Sequence, residues 1–308
     1  MPVYKVEAIV LRHQPVGEAD RILTLFTREF GKLRVSARGV RKTTSRLAGL
    51  VQPYTAGRFL LARGRTLDVV AQAEITRAFA GLGRDLLRSA YAAYVAELVD
   101  RFLPERDRHP EVFDAVLDAF AVIEAAPEDE AEIYALWFSL HLADSLGYRP
   151  EMERCVACGR ALPSGVASGD TEERVSRAAG DPAHSGAGEA GRPARGAATW
   201  AFSPAAGGAL CPACAADEPS AAPPDPRIPR GRPGHAGVAP GVLATGAYLL
   251  RSTAERARRL RVPERQRREL AGLVQAHLEY HLDGRLRAPA VIARLRQAPA
   301  TRASGTRA

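Results

Sequence analysis

At 308 residues and 33.0 kDa the chain is too long for one small core and is expected to divide into two domains with a small third unit. Apolar residues make up 46% and charged residues 25%, which excludes a wholly disordered protein. The formal net charge of +8 points toward a polyanionic partner. Lys5, Lys32 and Lys42 are the only lysines, however, so arginine-rich composition accounts for part of the excess, and its distribution along the chain is the better guide.

Charge is strongly segmented. Residues 1–79 carry a net +8, residues 80–150 a net −8, residues 151–240 a net −1 and residues 241–308 a net +9. Two basic ends flank an acidic middle, an alternation that uniform arginine enrichment does not produce.

The first 79 residues read as strands, with β-branched and apolar residues recurring at short spacing between turn signals. Strands are expected over 3–11, 21–27, 32–37, 54–62 and 67–74, with turns around Pro15 and Gly17, at 28–31 and across Arg63-Gly64-Arg65. A short helix over 45–51, ahead of Pro53, would separate the third strand from the fourth. Five strands with a helix in that position is the order of the OB-fold, an oligonucleotide-binding β-barrel, and an SH3-like barrel is the alternative.

From Leu82 the apolar spacing changes to three and four. Leu86, Leu87, Tyr91, Tyr94, Val95, Leu98 and Phe102 form one helical stripe, Pro110 and Pro127 open two further helices, and Gly147 and Pro150 end the series. Residues 242–250 and 263–282 supply later helices, with Gly284 as a stop, and the helices on both sides of 151–240 are expected to share one bundle. The expected fold class is therefore α+β and multidomain. An OB-fold barrel (1–79) precedes an all-α helical domain in two parts (80–150 and 241–297), which carries a cysteine-rich lobe (151–217). An irregular linker (218–240) and a disordered tail (298–308) complete the chain. Within the lobe, 163–198 is rich in Gly, Ala, Ser and Arg and is expected to be disordered, because it has too little apolar surface to offset its ordering entropy.

All four cysteines fall in two Cys-x-x-Cys pairs, Cys155/Cys158 and Cys211/Cys214. A two-residue spacer lets two thiolates face one cation, and two pairs complete a tetrahedron suited to structural Zn2+. Four sulfur ligands leave no position for water, so a catalytic metal is not expected. A thiol switch that releases zinc on oxidation stays open. His277 and His281 have the spacing of a zinc-finger histidine pair but are read as helix-face residues, since four thiolates already satisfy the metal.

Residues 28–65 carry Arg28, Lys32, Arg34, Arg38, Arg41, Lys42, Arg46, Arg58, Arg63 and Arg65 against a single acid, Glu29. On an OB barrel, Lys32, Arg34, Arg38, Arg41, Lys42, Arg46, Arg63 and Arg65 would border the groove that takes a nucleic-acid strand. Phe26, Phe30, Tyr54 and Phe59 are the only nearby aromatics, so phosphate contacts should dominate over base stacking. The alternative is a solvated basic face. A second basic block, Arg256, Arg258, Arg259, Arg261, Arg265, Arg267 and Arg268, surrounds Pro263 and reads equally as a binding surface for nucleic acid or acidic peptide, or as a solvated helix surface.

The chain also resembles the bacterial RecO family of DNA repair and recombination mediators. The resemblance rests on Glu7-Ala8-Ile9-Val10-Leu11, Gly17-Glu18-Ala19-Asp20-Arg21-Ile22-Leu23, Phe30-Gly31-Lys32, Ala37-Arg38-Gly39-Val40-Arg41-Lys42, Gly147-Tyr148-Arg149-Pro150-Glu151, the first cysteine pair and Gly207-Gly208-Ala209-Leu210-Cys211. It implies a non-enzymatic protein that binds single- and double-stranded DNA, anneals complementary strands and assists RecA loading. The implied partners are RecR, RecA indirectly, and the acidic C-terminal tail of the single-strand binding protein. Family DNA-contact positions would fall on Lys32, Arg34, Arg38, Arg41, Lys42 and Arg46, and the zinc ligands on the four cysteines. No apolar run reaches the roughly 18 residues of a membrane helix and residues 1–11 lack a signal pattern, so a cytoplasmic, nucleoid-associated protein is expected. A redox-regulated zinc protein and an RNA-binding zinc protein remain as other classes.

Overall fold

The computed structural model describes residues 2–127, 130–163, 200–217 and 235–297. The stretch expected to be disordered, 163–198, lies outside the described residues but for Pro163, as do most of the 218–240 linker and the 298–308 tail. The chain divides into two compact units, Met1–Ala131 with Leu286–Ala308, and Glu132–Arg285.

In the first unit, β1 (Val3–Val16), β2 (Asp20–Thr27), β3 (Gly31–Ala37), β4 (Thr55–Ala62) and β5 (Asp68–Ala78) close a barrel in the order β1-β2-β3-β5-β4. Neighbours are antiparallel except β3 and β5, whose parallel pairing of Val35 with Asp68 and Ser36 with Val69 closes the ring. This is the OB arrangement read from the sequence. Period-2 alternation turns Val6, Ala8, Val10, Leu23, Leu25, Leu33, Val35, Phe59, Leu61 and Val70 into the barrel core.

Two local readings are corrected. The first strand runs five residues further than the sequence suggests, through Pro15, which pairs with Arg21. Past Ile9, β1 has left β4 and pairs only with β2, so the missing N–H of Pro15 falls on an open edge. The helix expected over 45–51 is instead a chain of turns, closed by Ser45 N–H to Lys42 O, Ala48 N–H to Ser45 O and Leu50 N–H to Leu47 O. Gly49 and the preceding threonines are weak helix formers, and burial of Val51 with packing of Leu47 on the barrel decides the local path.

The outer side of β1 and β2 is apolar as well, and α1 (Leu86–Phe102) and α2 (Pro110–Ala125) cover it. Asp85 caps α1 by accepting from Arg88 N–H at 2.6 Å, and Pro110 opens α2. Phe26 packs on Phe113 at 5.8 Å between ring centroids, while Tyr54 and Phe79 meet Phe120 edge-on at 5.4 and 5.5 Å. Ion pairs fix the seam. Asp100 of α1 accepts from Arg12 at 2.8 Å and pairs with Lys32 Nζ at 3.2 Å, and the same ammonium donates to the Asp100 carbonyl. Arg28 bridges Glu7 and Asp114 and lies over the Phe113 ring. Gly31 is held at φ +63°, and a Cβ there would sit 1.8 Å from the carbonyl oxygen of Asp107, so only glycine lets that loop run against β3. A C-terminal helix, α8 (Ala288–Gln297), starts on Glu97 of α1, whose carboxylate accepts from Arg287 and Ala288 N–H at 2.8 Å each.

The second unit contains α3 (Ala131–Ser145), α5 (Pro240–Arg251), the single turn α6 (Ala254–Ala257) and α7 (Glu264–Leu282). A small sheet ordered β7-β6-β8, made by β6 (Trp200–Ser203), β7 (Gly208–Leu210) and β8 (His235–Val238), carries the short α4 (Pro212–Asp217). Trp137 of α3 donates to Ser252 O at 2.8 Å beyond the end of α5. The stop of α7 sits one residue before the expected glycine: Asp283 adopts φ 47°, and Gly284 N–H returns to Glu279 O. The polar face of α7 is not wholly outward. His277 is 2% exposed and bonds Tyr148 O through Nε2 at 2.7 Å, while its Nδ1 has no partner among the described residues. His281 lies 4.6 Å away, stacked on Tyr148.

Two outcomes follow from these contacts. Asp100→Ala leaves the buried Lys32 ammonium without its carboxylate and is expected to cost about 3 kcal/mol in denaturant melts, whereas Lys32→Met, which removes the charge while Asp100 keeps its pairing with Arg12, should cost much less. Burial holds His277 and His281 below the ordinary 6.5, so the unfolded chain binds protons first as pH falls. Stability should therefore decline as pH drops below about 6.5, and His277→Gln should flatten that decline in melts recorded between neutral and acid pH.

Candidate nucleic-acid interface and metal centre

The barrel cations separate into two groups according to whether an acid reaches them. Arg12, Arg28 and Lys32 are taken by carboxylates at the helix seam. Lys32 thus departs from the sequence expectation. It points away from solvent because β3 begins against the loop after α1, where Lys32 bridges Glu105 and its carbonyl accepts from Arg106 N–H at 2.9 Å. The other seven expected residues, Arg34, Arg38, Arg41, Lys42, Arg46, Arg63 and Arg65, are exposed.

Backbone geometry sets these seven along β3 and beyond both of its ends. Arg34 is the outward residue between buried Leu33 and Val35. Arg38, Arg41, Lys42 and Arg46 follow on the turns after β3, and the turn between β1 and β2 holds that loop in place. Asp20 accepts from Gly39 N–H at 2.7 Å, Arg41 N–H donates to Ala19 O at 2.9 Å, and the Arg41 guanidinium donates to Gly17 O at 3.1 Å. The parallel β3-β5 pairing brings the β4-β5 loop, with Arg63 and Arg65, to the same strand. Asp68 organises that loop by accepting from Gly64 N–H at 3.0 Å and from the Tyr4 hydroxyl, and Arg63 lies over the Tyr4 ring at 5.2 Å. These partners keep Asp68 below the usual carboxylate range against the opposing effect of burial, and burial together with Asp68 pushes Tyr4 up to about 12. Of the four aromatics expected nearby, Phe26 and Phe59 are buried and Tyr54 packs on Phe120, which leaves Phe30 as the exposed one. The exposed surface therefore offers cations with little aromatic area to stack on.

Sequence reasoning overlooked Asp20 and Asp100. Their signal was an acid set against its surroundings: Asp20, with Glu18, ahead of a basic stretch, and Asp100, one turn past Glu97, beside the apolar stripe of α1.

In the second unit, the cysteines expected to act together do converge. The four sulfur atoms lie within 4.8 Å of one another, with Cys158 and Cys211 at 3.7 Å. A tetrahedron with Zn–S bonds of about 2.3 Å has edges of roughly 3.8 Å, so the cluster fits zinc with little adjustment. Each knuckle is shaped by local bonds. Cys155 N–H donates to Arg160 O and Gly159 N–H to Cys155 O, both at 2.8 Å, and Ala215 N–H donates to Cys211 O at the start of α4. The knuckles are joined through Glu151, whose N–H and C=O bond Gly207 and Ala209, and Val156 N–H bonds Ala209 O. A Cβ at Gly208 would sit 2.3 Å from Glu151 O, which explains glycine at that position. Burial pushes the Cys155 thiol up, but backbone N–H groups of Cys211, Cys158 and Ala157 outweigh it and bring it down to about 6. The backbone N–H of Cys214 lowers Cys211, and the sulfurs of Cys158 and Cys211 keep the proton on Cys214, raised to about 12. Sulfurs so disposed repel one another unless a proton or a dication sits among them.

Comparison with known proteins now decides the family. The model for Recombination protein O N terminal matches residues 1–79, and that for Recombination protein O C terminal matches 83–190 and 229–290. Proteins named DNA repair protein RecO from Pelotomaculum thermopropionicum, Desulforudis audaxviator and Roseiflexus sp. are 36%, 34% and 33% identical over 97%, 96% and 96% of this chain, covering 97%, 98% and 87% of their own lengths. The chain belongs to the RecO family. The resemblance read from the short motifs thus extends along the whole length, and the motif Gly17 to Asp20 gains a physical role as the clamp on the basic loop.

Purified chain is expected to carry one zinc per molecule by metal analysis, and Cys211→Ser should lose it and lower the melting temperature of the second unit. Because the ligands bind as thiolates, metal release on acidification should proceed with proton uptake.

Proposed function

We propose that this chain is a recombination mediator that holds DNA by its phosphates along β3 and the flanking loops, anneals complementary strands and assists RecA loading on strands coated by single-strand binding protein. The observation that carries this reading is the segregation of barrel cations: Arg34, Arg38, Arg41, Lys42, Arg46, Arg63 and Arg65 stand exposed beside β3, while the acids of the first unit's helices are engaged elsewhere. Neutralising phosphates lowers the repulsion between two strands, so that base pairing supplies the favourable energy. No bond is made or broken by the protein in this reading. Both single and double strands suit a surface that reads charge rather than bases.

Membership of the family supports RecR, the acidic tail of single-strand binding protein and, indirectly, RecA as partners, and supports action on the nucleoid in the cytoplasm. Among the described residues no helix is long and apolar enough to cross a membrane. Zn2+ is the metal best suited to the four-cysteine cluster, and when bound it would cross-link the two knuckles and hold the β7-β6-β8 sheet; no step in DNA binding is assigned to it.

The test is salt titration of single-strand binding. Replacing Arg38, Arg41 and Lys42 by Glu should weaken binding at least tenfold at low salt and make log Kd less steep in log salt by about 2, at roughly 0.7 per phosphate contact. Unchanged affinity and slope would overturn the assignment, and stronger retention of structured RNA than of single-stranded DNA would favour an RNA-binding role.

A further inference from the structure

The second unit displays a basic surface that the barrel reading leaves unused. Between Thr253 and Arg265 the chain makes the single turn α6, a tight bend and the start of α7. Ala254, Ala257, Leu260 and Val262 are buried beneath it, and Arg256, Arg258, Arg259, Arg261 and Arg265 are exposed above it. The backbone is pinned at each step. Thr253 Oγ1 accepts from Arg256 N–H at 3.3 Å, Ala257 N–H bonds Thr253 O at 2.9 Å, Arg259 N–H bonds Arg256 O at 3.1 Å, and Leu260 N–H bonds Ala257 O at 3.2 Å. These arginines therefore stand on a fixed platform and not on a loose tail.

The acids nearby do not neutralise them. Glu264 is paired with Arg268, Glu132 lies 3.6 Å from Arg267, and Glu269 accepts from Ala239 N–H. Among the described residues no carboxylate pairs with Arg256, Arg258, Arg259 or Arg265, and Glu255 is the remaining acid on the bend. Like charges three residues apart, such as Arg256 with Arg259, repel along a helical turn. A ligand that repays this repulsion must bring several negative charges at short spacing.

Two ligands could do so, a nucleic-acid backbone or an acidic peptide with apolar anchors, and the burial pattern separates them. Every large apolar side chain of the bend is turned inward: Leu260 and Val262 are 5% and 6% exposed. Among the described residues the bend exposes guanidinium groups and no large apolar side chain, which suits phosphates better than a peptide with apolar anchors. All the cations are arginines, whose planar fork takes phosphate oxygens two at a time.

We infer that the α6-α7 bend is a second phosphate-backbone site, which holds a second nucleic-acid strand on the same chain that binds the first through the barrel. This deepens the annealing role and rests on the barrel reading, since a single chain with two strand sites can raise the local concentration of one strand near another.

The experiment is the number of oligothymidylates, each about ten nucleotides long, bound per full-length chain at low salt, read by sedimentation with labelled strands. The unaltered protein should saturate at two per chain. Arg256→Gln, Arg258→Gln, Arg259→Gln and Arg265→Gln combined should saturate at one, with strand annealing reduced at least fivefold, while the matching four-lysine variant keeps two. The barrel variant with Glu at 38, 41 and 42 should also saturate at one. Two strands retained by the four-glutamine variant would overturn the second site, as would loss of the second strand in the lysine variant too, which traces the loss to folding. Two strands retained together with lost capture of an acidic apolar peptide would reassign the bend to peptide. Two strands retained by the barrel variant would instead sink the barrel reading and leave the bend's own result to stand.

Discussion

The arrangement turns on how the acids of α1 and α2 are distributed against the barrel. A five-strand ring has an outer surface on every side, and in this chain two of its strands carry apolar residues outward, Ile9, Leu11 and Phe26 among them. Burying them under helices desolvates whatever charges lie at that seam, so each cation there needs a carboxylate: Arg12 and Lys32 share Asp100, and Arg28 takes Glu7 and Asp114. The net −8 of residues 80–150 is thereby directed in part at one side of the barrel. Among the described residues, Arg34 and the cations of the loops after β3 and between β4 and β5 receive no such partners and remain available to a polyanion.

Position within the loops is set by the same economy of polar groups. Asp20 and Asp68 stand against the loops that carry the exposed cations, and each accepts from a backbone N–H there. Asp20 caps the backbone of Gly39, and Asp68 caps Gly64 and ties Tyr4. Each converts a flexible loop into a displayed one, which lowers the ordering entropy that binding would otherwise cost. The cysteine cluster does equivalent work in the second unit, where two knuckles distant in sequence meet through Glu151 and Ala209.

Much of this was legible before any coordinates. The five strands, their alternation and the ligand set of the cysteines follow from period, turn residues and spacing, because those are local properties. The helix expected over 45–51 failed because its propensity was marginal and Leu47 and Val51 had a barrel to pack on. Lys32 was misplaced for a related reason: alternation in β3 assigns it to the outer surface correctly, but which part of that surface a helix covers depends on Asp100, 68 residues away. Buried His277 and half-buried His281 of α7 were read as face residues, and spacing could not reveal that Phe202 and Tyr148 pack on them.

The central claim, that DNA lies along β3 and its flanking loops and not at the helix seam, is tested most directly by hydrogen exchange of the full chain with and without saturating single-stranded DNA. Slowed exchange is expected in the first unit over residues 34–46 and 63–67, with little change over 9–12 and 26–32 at the helix seam. Protection confined to the seam, with none over 34–46, would contradict it.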